Sequence, residues 1–170
     1  MTKRIRQYIG LFAALVAYYF IHEGAHLLYA LSVGAFKQIN FMGLGIQIDV
    51  FSDSMSHTEL FAFCLVGALG TLSVGYVLTA LAEKIGQIKS KTARAVLYYV
   101  TVAFLLLDPL YLSLLCGLFG GGDLNGIVLF VPELIARIAF GTVLAFNALL
   151  FWKRVLPTYR QSFADTEARP

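Results

Sequence analysis

The sequence predicts an all-α polytopic membrane protein with four transmembrane helices and a short β-like or re-entrant segment after the first. Two observations carry this expectation. Of the 170 residues, 59% are hydrophobic and only 14% charged, with a mean hydropathy of +0.76, well above the roughly 45–50% apolar content of soluble domains. Four apolar runs, about 8–31, 59–81, 95–118 and 127–151, reach the ~20 residues needed to cross a bilayer. No internal repeat and no sizeable polar stretch intervenes, so residues 1–170 read as a single membrane-embedded domain.

The first run follows a basic start, Lys3, Arg4 and Arg6. A secretory signal has an apolar region of roughly 7–15 residues and a small-residue cleavage site. This run is longer and lacks such a site, so a retained helix is expected. Lys84, Lys89, Lys91 and Arg94 lie between the second and third runs, and Lys153, Arg154, Arg160 and Arg169 follow the fourth. With four crossings all three basic regions fall on one side, which by the positive-inside rule is cytoplasmic, with both termini there.

Residues 35–51, AFKQINFMGLGIQIDVF, break the helical pattern. Ile46 and Ile48 alternate with Gln47 and Asp49, predicting a short strand or hairpin. Ser56 or Thr58 then fits the N-cap of the second helix. Within that helix Gly67, Thr71 and Gly75 form a row of small residues. Such rows let helices pack closely, and this one could also form a thin wall beside a substrate. Cys64 and Cys116 are isolated in apolar segments, where they serve as small apolar filler.

The chemistry lies in IHEGAH, residues 21–26. His22 and His26 are one helical turn apart and share a face. Two imidazoles so spaced can hold one Zn2+, with Glu23 near enough to act as general base on water. Ionisable groups inside a span are costly and functional by default. A zinc site needs a third protein ligand beside an open position. His57 falls in the outer loop, leaving Asp108 and Asp123.

Depth favours Asp108. His22 and His26 lie 16 and 20 residues beyond Arg6, Asp108 lies 14 beyond Arg94, and Asp123 lies 29 beyond it. At a rise of about 1.5 Å per residue, Asp123 falls about 16 Å above the histidines if the third helix stays straight. Asp123 serves only if the GGGD loop folds back into the membrane, as irregular backbone lining a cavity can. Alternatively Asp108 pairs with a tyrosine hydroxyl, and Asp123 caps a helix or pairs with Arg137. Pro109 suggests a helix break capped by Asp108. Glu133 and Arg137 are expected to pair at i, i+4. Asn125 could bind a substrate carbonyl or cap a helix. Tyr18 and Tyr19, one turn before His22, could orient it or simply pack.

In this order of features the chain resembles the site-2 protease superfamily of intramembrane zinc metalloproteases. The resemblance rests on HEGAH in an early span, on FKQINFMGLGIQIDV, on the Gly-rich VGALGTLSVG, and on a later Asp in LLLDPLY or GGGDLNGI. It runs from about residue 8 to 152, and only HEGAH is specific. It implies a three-helix core, zinc held by His22, His26 and one aspartate, Glu23 as base, and cleavage of a membrane-spanning protein substrate unwound along the strand-like edge. The motif that usually places Asn and Pro ahead of Asp-Gly is absent and no appended PDZ-like or CBS-like domain is expected in 170 residues, which resembles the small, divergent members of that superfamily and implies a prokaryotic cell membrane. Two rivals are a membrane-surface zincin with Glu133 as third ligand and a non-proteolytic metal-binding scaffold. Three histidines cannot supply a diiron desaturase site. The expected partners are the lipid bilayer and a membrane protein substrate, with no nucleic acid.

Overall fold

A computed structural model describes residues 2–42, 45–118 and 122–167. Among the described residues four helices are long and apolar enough to cross a membrane. The fold is all-α, with one small antiparallel sheet after the first helix. The first helix, α1, is unbroken over Lys3–Ser32, with Thr2 as its N-cap. Its 30 residues span about 45 Å at 1.5 Å per residue, more than the ~30 Å hydrocarbon core.

Strands β1 (Phe36–Met42) and β2 (Gly45–Val50) pair antiparallel, with Ile39 opposite Ile48 and Phe41 opposite Ile46. This is the expected hairpin; residues 43–44 at its tip lie outside the described residues. Lys37 reaches Asp49 at 3.0 Å across a bulge, and its ammonium holds the Asp49 carboxyl below the usual range. Helix α2 (His57–Ala80) begins with a complete capping box: Ser56 accepts from the Glu59 amide, and Glu59 accepts from the Ser56 amide. Ser56, rather than Thr58, is therefore the cap.

A short α3 (Ala82–Gly86) leads to α4 (Lys91–Leu110), which continues through a widened π turn over Tyr111–Leu115. The break expected at Pro109 does not occur. Proline has no N–H to offer the carbonyl four residues back, here that of Leu105. The buried Asn147 side chain supplies the missing donor, its Nδ2 bonding the Leu105 oxygen at 2.7 Å. Tyr76 donates in turn to Asn147 Oδ1 at 2.8 Å. Helix α4 thus stays continuous, and Asp108 lies inside it rather than capping an outer half.

A short turn of helix, α5 (Leu124–Ile127), precedes α6 (Glu133–Leu150). A second π turn, Phe151–Val155, joins α6 to α7 (Leu156–Glu167). The fourth apolar helix therefore runs Glu133–Ala164, not 127–151. Pro132 sets the start, because the residue before a proline avoids the helical region. At one end of the bundle, Arg94 donates to the carbonyls of Gly86 and Ser162. The helix starts, the α3 loop and α7 thereby meet, gathering the basic segments at that end. At the other end, Ala30, Ala35, Met55, Phe63, Leu112 and Ile127 form the largest core cluster with their neighbours, closing the hairpin over α1, α2 and α5.

Candidate metal centre

Three potential ligand atoms meet where α1, α2 and the start of α5 converge. His22 Nε2 and His26 Nε2 are 3.2 Å apart. Asp123 Oδ2 lies 3.2 Å from the first and 3.4 Å from the second. A tetrahedral ion with bonds of about 2.0–2.1 Å separates its ligand atoms by about 3.3 Å, so these spacings suit one. The group has two imidazole nitrogens and one carboxylate oxygen, all within 4.8 Å, and could hold a metal ion. Both histidines are buried, and Asp123 is half-buried.

Three local features make the convergence. Glycine at 67 lets α2 press against the histidine tips. A Cβ built there would stand 2.8 Å from His22 Nε2 and closer still to His26 Nε2. Gly122 has φ +43°, in the left-handed region that a side chain disfavours, and a Cβ on it would meet the Tyr111 hydroxyl at 2.8 Å. It turns the chain into Asp123. Gly126 lies flush against the Cys64 sulfur, seating α5 on α2.

Asp108 lies beside the histidines, as its depth predicts, but not among the three converging ligand atoms. Its Oδ1 faces His22 Nδ1 at 3.2 Å, on the side of the ring away from Asp123. Tyr18 donates to the same oxygen at 2.5 Å, and Thr71 donates to Oδ2. The Tyr18 ring also stacks on His22 at 5.2 Å between centroids. The alternative pairing of Asp108 with a tyrosine is thus present, and the same carboxylate lies beside the His22 ring. The depth count misplaces Asp123 because it assumes a straight third helix. The helical run instead ends after the π turn, and the chain comes back to the histidines. The linking residues 119–121, which include two of the three glycines, lie outside the described residues.

Glu23 lines the same cavity of about 520 Å3 as His22, His26, Asp123 and β2. Its Oε2 accepts the Ile48 amide at 3.2 Å. Tyr19 is also in the lining, and Phe63 packs on His26 at 4.7 Å between ring centroids. Asn125 does not enter this cavity. It is exposed and borders a separate cleft of about 240 Å3 with Glu133 and Arg137, because Asp123 and Asn125 leave the α5 turn in different directions. Glu133 bonds Arg137 at 2.8 Å, as its spacing predicts, and Arg137 also donates to the Ser113 carbonyl at 3.2 Å. Glu133 is thus engaged away from the histidines. His57 sits against Phe130, with ring centroids 6.5 Å apart.

Sequence reasoning missed the roles of Thr71 and Asn147. Thr71 reads as one of a row of small residues, yet its hydroxyl is the second clamp on Asp108. The only available signal for Asn147 is a lone amide in an apolar span, a residue type that acts between membrane helices. No protein-family model, no curated protein and no solved structure matches the chain.

Proposed function

We propose that the chain is an intramembrane zinc metalloprotease that hydrolyses a peptide bond in or near a transmembrane segment of another protein. The observation that carries this reading is the meeting of His22, His26 and Asp123 ligand atoms in a cavity that Glu23 also lines. These three residues would hold Zn2+, which when bound supplies Lewis acidity and a more acidic water. Glu23 accepts the proton of the attacking water and returns it to the leaving amine nitrogen. Asp108, clamped by Tyr18 and Thr71, fixes the His22 ring through Nδ1, leaving Nε2 to face the cavity. Such a carboxylate partner sets both tautomer and orientation of a ligating imidazole.

A membrane-spanning substrate keeps its backbone bonds within its own helix, so cleavage requires local unwinding. An exposed strand edge can accept the freed amides and carbonyls. The Ile46–Ile48 stretch of β2 lines the cavity, and the Ile48 N–H points away from β1 toward Glu23. This supports β2 as the docking edge. The clustering of basic residues at the opposite end, read by the positive-inside rule, supports a cytoplasmic side for both termini. The resemblance of the sequence points to a prokaryotic cell membrane.

Glu23→Gln tests the mechanism. The variant is expected to keep its bound metal while cleavage of a co-expressed single-span reporter falls at least about 100-fold, in line with loss of a general base. Undiminished cleavage would remove Glu23 from the reaction. A wild-type chain that binds metal and cleaves no membrane protein would instead support a scaffold.

A further inference from the structure

A second cavity, of about 490 Å3, lies at the opposite end of the bundle from His22 and His26. Its lining brings together Lys3 and Arg6 from the start of α1 and Arg160 from α7. The remaining walls include Tyr98, Tyr99 and Phe163, and no acidic residue is among the described lining residues. Tyr99 is seated by a close approach to Gly10, where a Cβ would collide with its ring. Cations from distant parts of the chain thus converge on one hollow, rather than spreading over a face.

The helix ends sharpen the charge pattern. Helices α1 and α4 both begin at this end, and neither has an acidic residue in its first turn. Lys3, Arg4 and Arg6 open α1, while Lys91 and Arg94 open α4. A helix N-terminus carries partial positive charge and favours anions. Basic side chains there add to the positive potential instead of offsetting it. Two such ends beside this hollow add positive potential to a site with aromatic walls. Basic pockets between membrane helices suit phosphate-bearing headgroups.

We propose that this pocket binds a phosphate-bearing anion, either the headgroup of an anionic phospholipid or free phosphate, through Lys3, Arg6 and Arg160. The site is separate from the metal centre and does not depend on proteolysis. Thermal unfolding of the purified full chain in neutral detergent reads binding directly. The three additions are dioctanoyl phosphatidylglycerol, dioctanoyl phosphatidylcholine and inorganic phosphate.

Saturable stabilisation by phosphatidylglycerol but not by phosphatidylcholine is expected. An equal response to inorganic phosphate assigns the site to the phosphate group alone, and its absence assigns the site to the lipid. Arg6→Gln combined with Arg160→Gln should raise the half-saturating concentration at least tenfold, and Lys89→Gln, outside the pocket, should change it less than twofold. If the double variant does not fold, Arg160→Gln alone should raise it about threefold. No stabilisation by either anion, an equal response to phosphatidylcholine, a folded double or single variant that responds as wild type, or a Lys89→Gln loss as large as that of the pocket variants would overturn the proposal.

Discussion

The His22 ring lies between two carboxylates: its Nδ1 is 3.2 Å from Asp108 Oδ1, and its Nε2 is 3.2 Å from Asp123 Oδ2. One aspartate can therefore complete a metal site while the other holds the histidine still. The two substitutions separate these roles. Asp123→Ala should abolish stoichiometric zinc in the purified protein. Asp108→Asn should keep zinc at saturation but weaken it about 10–100-fold, the usual cost of losing a partner behind a ligand. Chelator competition measures both. Loss of zinc from Asp108→Asn but not from Asp123→Ala would reverse the assignment.

Gly67 and Gly75 sit two turns apart on α2 yet do different work. A methyl at 67 points at both histidine Nε2 atoms, whereas the nearest atoms to one at 75 belong to Phe104 and Leu105, at 3.2–3.3 Å. Gly67→Ala should thus remove bound metal with the helical content kept. Gly75→Ala should keep the metal and lower stability by about 1 kcal/mol, toward the low end for overpacking. Metal content and thermal unfolding of the two variants side by side give the comparison. Equal zinc in both would mean that α2 can back away from the histidines.

The legibility of the site follows the range of the interactions that build it. His22, Glu23 and His26 could be read directly, because their geometry is one turn of a single helix. The hairpin was legible through the alternation of Ile46 and Ile48 with polar neighbours, and Ser56 through the Glu59 that completes its capping box. The choice between Asp108 and Asp123 was not. Among the described residues, Asp123 is brought to the histidines by the π turn at Tyr111–Leu115, the φ of Gly122 and the seat of Gly126 on Cys64. None of these has a one-dimensional signature that a residue count along a straight helix can follow. Pro109 misled for the same reason: whether proline breaks a helix depends on a donor from elsewhere, here Asn147.

That donor gives a stability prediction. Asn147 Nδ2 bonds the Leu105 carbonyl that Pro109 leaves unpaired, and Asn147 is fully buried. Asn147→Leu should destabilise the protein by roughly 1–3 kcal/mol, the cost of stranding a buried polar group. Pro109→Ala restores a backbone N–H four residues beyond Leu105. In that background the same Asn147→Leu change should cost less, leaving mainly the lost bond from Tyr76. A double-mutant cycle by reversible denaturation in detergent reads the difference. Strict additivity would show that the amide is not compensating for the proline.

The Ile48 amide points out of the hairpin and is accepted by Glu23 at 3.2 Å, so one N–H serves both the proposed base and the proposed docking edge. A substrate strand adding to β2 would take over this donor and leave the Glu23 carboxylate to act on water. Ile48→Pro removes the donor without removing a bond between β1 and β2, and proline is tolerated on an edge strand. The metal should remain bound, because no ligand lies on β2. Cleavage of a single-span reporter should show a KM raised roughly tenfold, the equivalent of one backbone hydrogen bond at about 1.4 kcal/mol, with little fall in kcat. The split is informative because the two roles oppose each other. If Glu23 needs the Ile48 amide to be positioned for catalysis, kcat falls instead and KM stays put, and β2 then braces the base rather than receiving the substrate.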